Sequence, residues 1–372
     1  MSVLVWLYLL LVRGGFWRVS RHLPRSLPDE RSSWRVAVIV PARNEAEVIG
    51  QSIMSLLRQT GNNSIHIFLV DDSSSDGTAE IAQQAAEQAG KSKDLTVIGG
   101  SPLPTGWTGK LWAVQQGIEQ AREWRPQFFL LTDADILHAP DNISTLAVIA
   151  ESGRYDLASF MVKLHYRTVA EKSLIPAFVF FFFKLYPPSW ISDRRHKTAG
   201  AAGGSILVRP EALDRAGGIE AIRNEIIDDC ALAQAVKRVD GNVWLGMTDT
   251  TASLRSYKTF AEGERMISRT AFNQLNHSVL MLFLALVGLA VMYLFPVLLL
   301  LAHHWIPVAL GGAAWLLMAF AYFPMVKFYR LNPLWALTLP LTAIFYMGAT
   351  FHSAFKYWTG RGGEWKGRTQ DT

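Results

Sequence analysis

One cysteine, Cys230, stands in 372 residues. That excludes an intramolecular disulfide and any zinc or iron–sulfur centre built on several thiolates, and it fits a reducing cytoplasmic setting. Histidine offers no metal signal either: His22, His277, His303 and His304 lack a ligand spacing and read as loop or interface residues. Charge is missing from three long stretches, 279–301, 305–325 and 334–351, which contain no Asp, Glu, Lys or Arg. Such runs predict transmembrane helices. No small-residue cleavage site follows the first apolar run, residues 1–12, so that run reads as an anchor, spanning or interfacial, rather than a removed signal peptide. No internal repeat or low-complexity tract is evident.

What is abundant points the same way. The chain is 50 % hydrophobic with 13 tryptophans, and its mean hydropathy of +0.16 is high for a soluble enzyme. The net charge of +5 and pI of 9.3 do not argue for nucleic acid, because the cations cluster beside apolar segments, as at Arg13, Arg18, Arg21 and Arg25. Anionic headgroups of a lipid bilayer and anionic nucleotides are the expected partners.

From residue 34 the pattern changes. Runs 36–40, 65–70, 95–98 and 128–132 predict buried strands, and 45–57, 76–88, 110–121 and 140–150 predict the helices between them. The alternation predicts an α/β fold, a mostly parallel sheet with helices on both faces, in which ligands bind at the carboxyl ends of the strands. The organisation expected is an anchor over 1–25, an α/β domain over 34–270, transmembrane helices over 278–355 and a basic tail over 356–372. Within the domain, residues 174–190 carry Phe180, Phe181, Phe182 and Phe183, then Pro187 and Pro188; a core helix, a helix in the membrane interface and a short span all fit, with the interface favoured.

The polar residues of interest sit at the strand ends. Pro41-Ala42-Arg43-Asn44-Glu45 follows the first strand and by itself needs no more explanation than a helix start. Asp71, Asp72, Ser73, Ser74, Ser75 and Asp76 follow the second, more acceptors than one helix cap requires. A carboxylate there can accept from a base N–H or a ribose hydroxyl. Asp133 and Asp135 follow the fourth strand at a spacing that shares a face if the chain stays extended. Paired carboxylates want a cation, and ligands this hard suit Mg2+ or Mn2+.

Taken in order, these pieces resemble a family-2 glycosyltransferase with a GT-A fold: residues 41–45, the Asp71-Asp72 loop, Gly109-Lys110 opening a helix, Asp133 and Asp135, Gly203-Gly204-Ser205, and Asp228-Asp229 with Leu232. The resemblance implies a nucleotide-diphosphate sugar as donor. It implies that Pro41, Glu45, Asp71, Asp72, Lys110 and Asp133 hold the nucleotide and that Asp135, with Asp133, binds the metal. Asp229 is then the base that deprotonates an acceptor hydroxyl, with Asp228 beside it, Arg269 faces the leaving diphosphate, and Gly203, Gly204 and Ser205 form a sugar-contacting loop. Two departures stand out: Asp228-Asp229 replaces the family's usual Glu-Asp, and residues 264–270 supply Arg265 and Arg269 without the tryptophan of processive relatives. The latter argues against a processive polymer synthase.

The whole arrangement, with the Gly106-Trp107-Thr108-Gly109-Lys110 stretch, residues 269–275 and the tail Trp365-Lys366-Gly367-Arg368, is similar to the hopanoid-cluster glycosyltransferases. That likeness implies a membrane lipid acceptor of terpenoid type, in a bacterial inner membrane, with a multi-pass chain and a cytoplasmic catalytic domain. A polyprenyl-phosphate or polysaccharide acceptor is the alternative, and a non-catalytic nucleotide-binding membrane scaffold the alternative of another class. A nucleotidyltransferase would need a Gly-rich basic loop after the first strand, which residues 41–50 lack.

Overall fold

The computed structural model describes residues 1–19 and 33–360, together with the short antiparallel strands Glu364–Trp365 and Arg368–Thr369. Arg21, His22, Arg25, Arg361, Lys366 and Gly367 lie outside the described residues. The chain opens with α1 (Ser2–Leu11) and enters a repeating β–α pattern: β1 (Arg35–Ala42), α2 (Ile49–Leu57), β2 (Ser64–Asp71), α3 (Thr78–Gln88), β3 (Leu95–Gly99), α4 (Gly109–Arg122), β4 (Phe128–Leu131). The pattern then loosens into β5 (Ile136–Leu137), α5 (Asn142–Gly153), β6 (Leu157–Lys163), α6 (Val169–Leu185), α7 (Pro188–Ser192), β7 (Ile206–Val208), α8 (Pro210–Arg215), α9 (Asp228–Arg238), β8 (Val243–Ser253) and α10 (Phe260–Ser268). It ends in α11 (Val279–Leu289), α12 (Phe295–Leu299), α13 (Trp305–Phe328) and α14 (Leu339–Trp358).

Eight strands form one sheet in the order β3-β2-β1-β4-β7-β6-β8-β5. The half built from β1 to β4 is parallel, as the β–α alternation predicts. Beyond it the sheet becomes mixed: β6 and β8 pair in parallel, while β7 runs antiparallel to both β4 and β6, and β5 runs antiparallel to β8. The reversal follows from what precedes β7, since the chain returns from α6 and α7 by a loop rather than a single crossover helix.

Alternation along β1 sends Val36, Val38 and Val40 to one face and Ala37 and Ile39 to the other. The first face packs on α2, α3 and α5 through Ile53, Ala82 and Leu146. The second packs on α4 and α9 through Val114, Ile118 and Val236, and its core continues without a break through Ile175 and Phe180 of α6 to Trp6, Met318, Tyr322 and Tyr346. Domain and apolar helices thus share one core.

Among the described residues, four segments are long and apolar enough to cross a membrane: Val169–Ser192, Val279–Leu299, Trp305–Phe328 and Pro333–Trp358. At ~1.5 Å per residue, α1 covers only about 15 Å, half the ~30 Å of a bilayer core. It packs instead on the π-helical turn Ala290–Leu294. Pro296 has no N–H to offer the Met292 carbonyl one turn back, and the indole N–H of fully buried Trp6 donates to that carbonyl at 3.0 Å. Ser2 Oγ donates to Val291 in the same turn at 2.8 Å.

The aromatic stretch forms α6, whose start is fixed by a capping box between Thr168 and Glu171. One side of the helix is buried in the shared core, while Leu185 near its end is exposed. Its Phe180 and Phe181 meet Phe16 of the turn after α1, and Tyr293, Tyr322 and Tyr346 of the apolar helices. α14 follows α10: Phe345 meets Phe260, His352 Nδ1 lies 2.7 Å from Glu264, and Lys356 Nζ donates to Ser268 Oγ at 2.9 Å. Its opposite side exposes Leu341, Ile344, Phe351 and Phe355.

Candidate functional site

The carboxyl ends of β1 and β4 open on a cavity of about 690 Å³ whose lining includes Pro41, Glu45, Lys110, Asp133, Asp135, Gly204, Asp228, Arg255 and Arg269. Each reaches it for a local reason. Asn44 adopts the left-handed conformation that turns the chain sharply after β1, and the turn is stitched to the next loop: Glu45 N donates to Thr78 Oγ1 at 2.9 Å, Ala46 N to Asp76 Oδ2 at 3.0 Å. Thr108 caps α4 through its hydroxyl, which accepts from Leu111 N, and this sets Lys110 in the first turn, aimed at β4.

Lys110 Nζ lies 2.7 Å from Asp133 Oδ1 and 2.9 Å from Asp228 Oδ2. Burial alone would disfavour its charge, but the two carboxylates override that and raise its pKa above the ordinary value. Asp133 is held above the usual carboxylate range, chiefly by burial and with Asp135 and Asp228 adding repulsion against the pull of Lys110. Asp229 is pushed up to about 6, by burial first and by Asp228 second.

Asp228 and Asp229 open α9, where the helix dipole favours carboxylates. They face differently. Asp228 borders the large cavity. Asp229 borders a small adjoining one of about 20 Å³, together with Gly203 and with Pro41, Lys110, Asp133 and Asp228, which both cavities share. Its Oδ2 accepts from Gly203 N at 2.9 Å and its Oδ1 from Cys230 N at 2.7 Å, leaving each oxygen a second lone pair. A Cβ on Gly203 would lie 3.5 to 3.6 Å from Asp133, Asp229 and Lys110, so this backbone runs through the middle of the charged cluster.

Three sequence candidates stand back from both cavities. Asp71 accepts from Ser74 N at 3.1 Å, Asp72 is buried with Arg43 Nη1 3.5 Å from its Oδ2, and Ser205 is buried beside Asn142. In exchange, the structure brings in residues that sequence reasoning passed over. Arg255, two residues beyond β8, places Nε 3.1 Å from Asp135 Oδ2 and Nη2 2.7 Å from Glu45 Oε1. It is separated from these partners by 120 and 210 residues, and no local pattern announces such a pairing.

Beneath the site lies a buried polar chain. Burial drives the His138 pKa down to about 3, so its ring is neutral. Asn142 Nδ2 lies 3.1 Å from His138 Nδ1, which must accept, so Nε2 carries the proton and donates to Thr132 Oγ1 at 3.0 Å. Thr132 passes its own proton to Gly204 O at 2.7 Å. The same Asn142 amide donates to Ser205 Oγ at 3.1 Å and accepts from Thr251 Oγ1 at 3.0 Å. The chain ties the Asp133–Asp135 turn to the Gly203–Ser205 loop with every direction determined.

As a cation site, the donor set is half of one. Among the described residues no three His, Cys, Asp or Glu side chains cluster as metal ligands. Asp133 Oδ2 and Asp135 Oδ1 nevertheless accept no hydrogen bond there, and two hard oxygens fit a Mg2+ or Mn2+ ion whose remaining ligands are phosphate and water.

Comparison with known proteins bears on the domain and its fold. Residues 37–217 match the model of glycosyl transferase family 2. An undecaprenyl-phosphate 4-deoxy-4-formamido-L-arabinose transferase of Pseudomonas savastanoi is 33 % identical over 128 residues, 33 % of this chain and 34 % of its own. A probable glycosyltransferase of Bacillus subtilis is 24 % identical over 243 residues, 62 % of this chain and 53 % of its own. The chain therefore spans between about a third and a half of these curated relatives. Among solved structures, a mannosyltransferase from Pyrobaculum calidifontis in complex with GDP-Man and Mn2+ aligns over 96 % of this chain and 99 % of its own with a TM-score of 0.54. At 18 % identity that likeness speaks for the fold, which it shares from end to end.

Asn142→Leu removes one member of the buried chain and leaves His138, Ser205 and Thr251 without their partner. It should lower stability by about 1–3 kcal/mol per orphaned group, read by thermal or chemical unfolding. A wild-type melting temperature would mean that the two loops are held by something else.

Proposed function

We propose that this protein, whose residues 37–217 match the model of glycosyl transferase family 2, transfers a sugar from a nucleotide-diphosphate donor to a membrane lipid with inversion at the anomeric carbon. The observation that carries the reading is the Lys110-centred cluster of Asp133 and Asp228 at the strand ends, in a cavity whose far wall is built from Arg265, Phe272, His277, Ser353 and Tyr357. The donor is bound at the β1 and β4 ends, where Pro41, Glu45 and Lys110 line the cavity, while Asp71 and Asp72 shape the loop alongside. The acceptor enters from the side of α10 and α14.

Asp133 and Asp135 would hold a divalent ion, which when bound offsets charge building on the diphosphate. A mannosyltransferase of the same fold, from Pyrobaculum, is in complex with GDP-Man and Mn2+, which favours a divalent ion as the group bound. Asp229 takes the proton of the acceptor hydroxyl, the hydroxyl oxygen bonds to the anomeric carbon, and the bond to the diphosphate breaks with its electrons leaving on phosphate oxygen. Arg269, on the cavity wall, stabilises that oxygen. One base and no second nucleophile favour a single displacement. The acceptor we favour is a terpenoid alcohol of hopanoid type. Arg265, a second cation in the cavity lining, and the undecaprenyl-phosphate named for the Pseudomonas relative support a second reading, a polyprenyl phosphate. Its ionised phosphate needs no base, so the two readings part at Asp229.

Membranes carrying the protein, incubated with labelled nucleotide sugars and extracted, should yield labelled lipid. Asp229→Asn should bind donor normally and lose transfer by about 10²–10⁴-fold. Since burial holds the Asp229 carboxyl near 6 and only its ionised form accepts a proton, kcat/KM should fall about tenfold per pH unit below that value. Normal turnover in Asp229→Asn would favour the phosphate acceptor or move the base to Asp228, and no labelled lipid from any donor would sink the proposal.

The catalytic domain and the end of α14 belong on the same, cytoplasmic, side of a bacterial inner membrane. The contacts of Ser353 and Lys356 with Ser268 support this, and an even number of crossings between residues 270 and 359 follows. In a Cys230→Ser background, Glu87→Cys and Thr359→Cys should both resist an impermeant thiol reagent in intact cells and react after lysis. Labelling of position 359 alone in intact cells would place the tail outside.

A further inference from the structure

The cation already sitting on Asp135 is part of the chain. Arg255 approaches Asp135 Oδ2 with Nε at 3.1 Å and Glu45 Oε1 with Nη2 at 2.7 Å, so one rigid fork bridges the ends of β4 and β1. Asp135 Oδ2 also accepts from Ser253 Oγ at 3.0 Å, and the Asp135 carbonyl accepts from Leu254 N at 2.7 Å. The segment carrying Arg255 is therefore fastened to the Asp135 turn by backbone and side chain alike. The two carboxylates are nearly closed off, with side chains 9 % and 12 % exposed, while the Arg255 side chain is 37 % exposed. The most exposed partner of the three is the arginine.

We propose that Arg255 is a built-in counter-ion for Asp135: its guanidinium, on Oδ2, neutralises the carboxylate that a divalent cation would share once a nucleoside diphosphate is bound. This rests on the metal-dependent reading above and adds an order to it. A guanidinium does not lose its charge, so a divalent ion meeting Asp135 alone must face a fixed positive charge on the same carboxylate or displace it. A nucleoside diphosphate brings the negative charge that makes displacement favourable. Arg255 can then keep Glu45 and turn its freed N–H groups to phosphate oxygen, for which its fork is suited. Metal binding thereby becomes dependent on nucleotide, and the acidic cluster does not collect free cations.

Full-length protein in detergent micelles or nanodiscs, titrated with Mn2+ and followed by the electron paramagnetic resonance of the free ion, tests this without turnover. Wild type should bind Mn2+ weakly alone and at least about tenfold more tightly with GDP or UDP, an ordinary coupling between sites. Arg255→Gln should bind Mn2+ alone about tenfold more tightly than wild type, with the nucleotide dependence correspondingly reduced, and adding Asp135→Asn should abolish the gain. Arg255→Lys, which keeps the charge, covers the case in which the glutamine variant does not fold and should resemble wild type. Nucleotide-dependent Mn2+ binding in wild type with no gain in a folded Arg255→Gln would overturn the counter-ion while leaving the metal site intact. Absence of Mn2+ binding in every protein, with or without GDP or UDP, would overturn both.

Discussion

A single ammonium group, Lys110 Nζ, joins three parts of the chain that are far apart in sequence: the start of α4, the end of β4 at Asp133 and the first turn of α9 at Asp228. Without it, Asp133, Asp228 and Asp229 would face one another in a poorly solvated cleft, an arrangement that pushes protons onto carboxylates. With it, the cluster keeps negative charge in place, while burial still raises the pKa of both Asp133 and Asp229, the latter to about 6. Much of the surrounding structure serves that arrangement. The Thr108 cap aims the lysine, and the neutral His138–Asn142 chain fixes the loops on which Asp133 and Gly203 ride.

The site is polar on one side and framed by apolar helices on the other because one core runs from the sheet through α6 into the helices that follow α10. α14 takes part through a face of small and hydroxyl residues, Thr342, Ala343, Ala349 and Ser353. Thr342 Oγ1 donates to Ser173 O, and Tyr346 OH donates to Leu174 O at 3.0 Å. Its outer face of Leu341, Ile344 and Phe355 is exposed and suits acyl chains.

The parallel half of the fold was legible because each strand there is a short apolar run closed by a polar turn, and each of its helices follows within a few residues. Expected and observed strands agree to within two residues at each end, as with 36–40 against Arg35–Ala42. The mixed half was not legible: β5 has two residues and β7 three, too few for any period to register. Lys110, Asp133, Asp135 and Asp228 could be brought together from motif order alone. Arg255 could not, since its partners come from the far ends of two other strands, and the only trace is a lone arginine just past a strand. His138 and Asn142 were missed for a related reason: a buried polar residue next to a helix start looks like a cap. In α14 the small and hydroxyl face was present in the sequence, but hydropathy averages it away.

The account turns on Lys110 organising a donor site rather than merely neutralising buried acids. Calorimetric binding of nucleoside diphosphates and nucleotide sugars to wild type and to Lys110→Met, in protein shown to melt cooperatively, separates the two. The account predicts that a folded Lys110→Met loses donor affinity by about a hundredfold or more, the scale of one buried charge-assisted contact. A folded variant that binds nucleotide as tightly as wild type would contradict it.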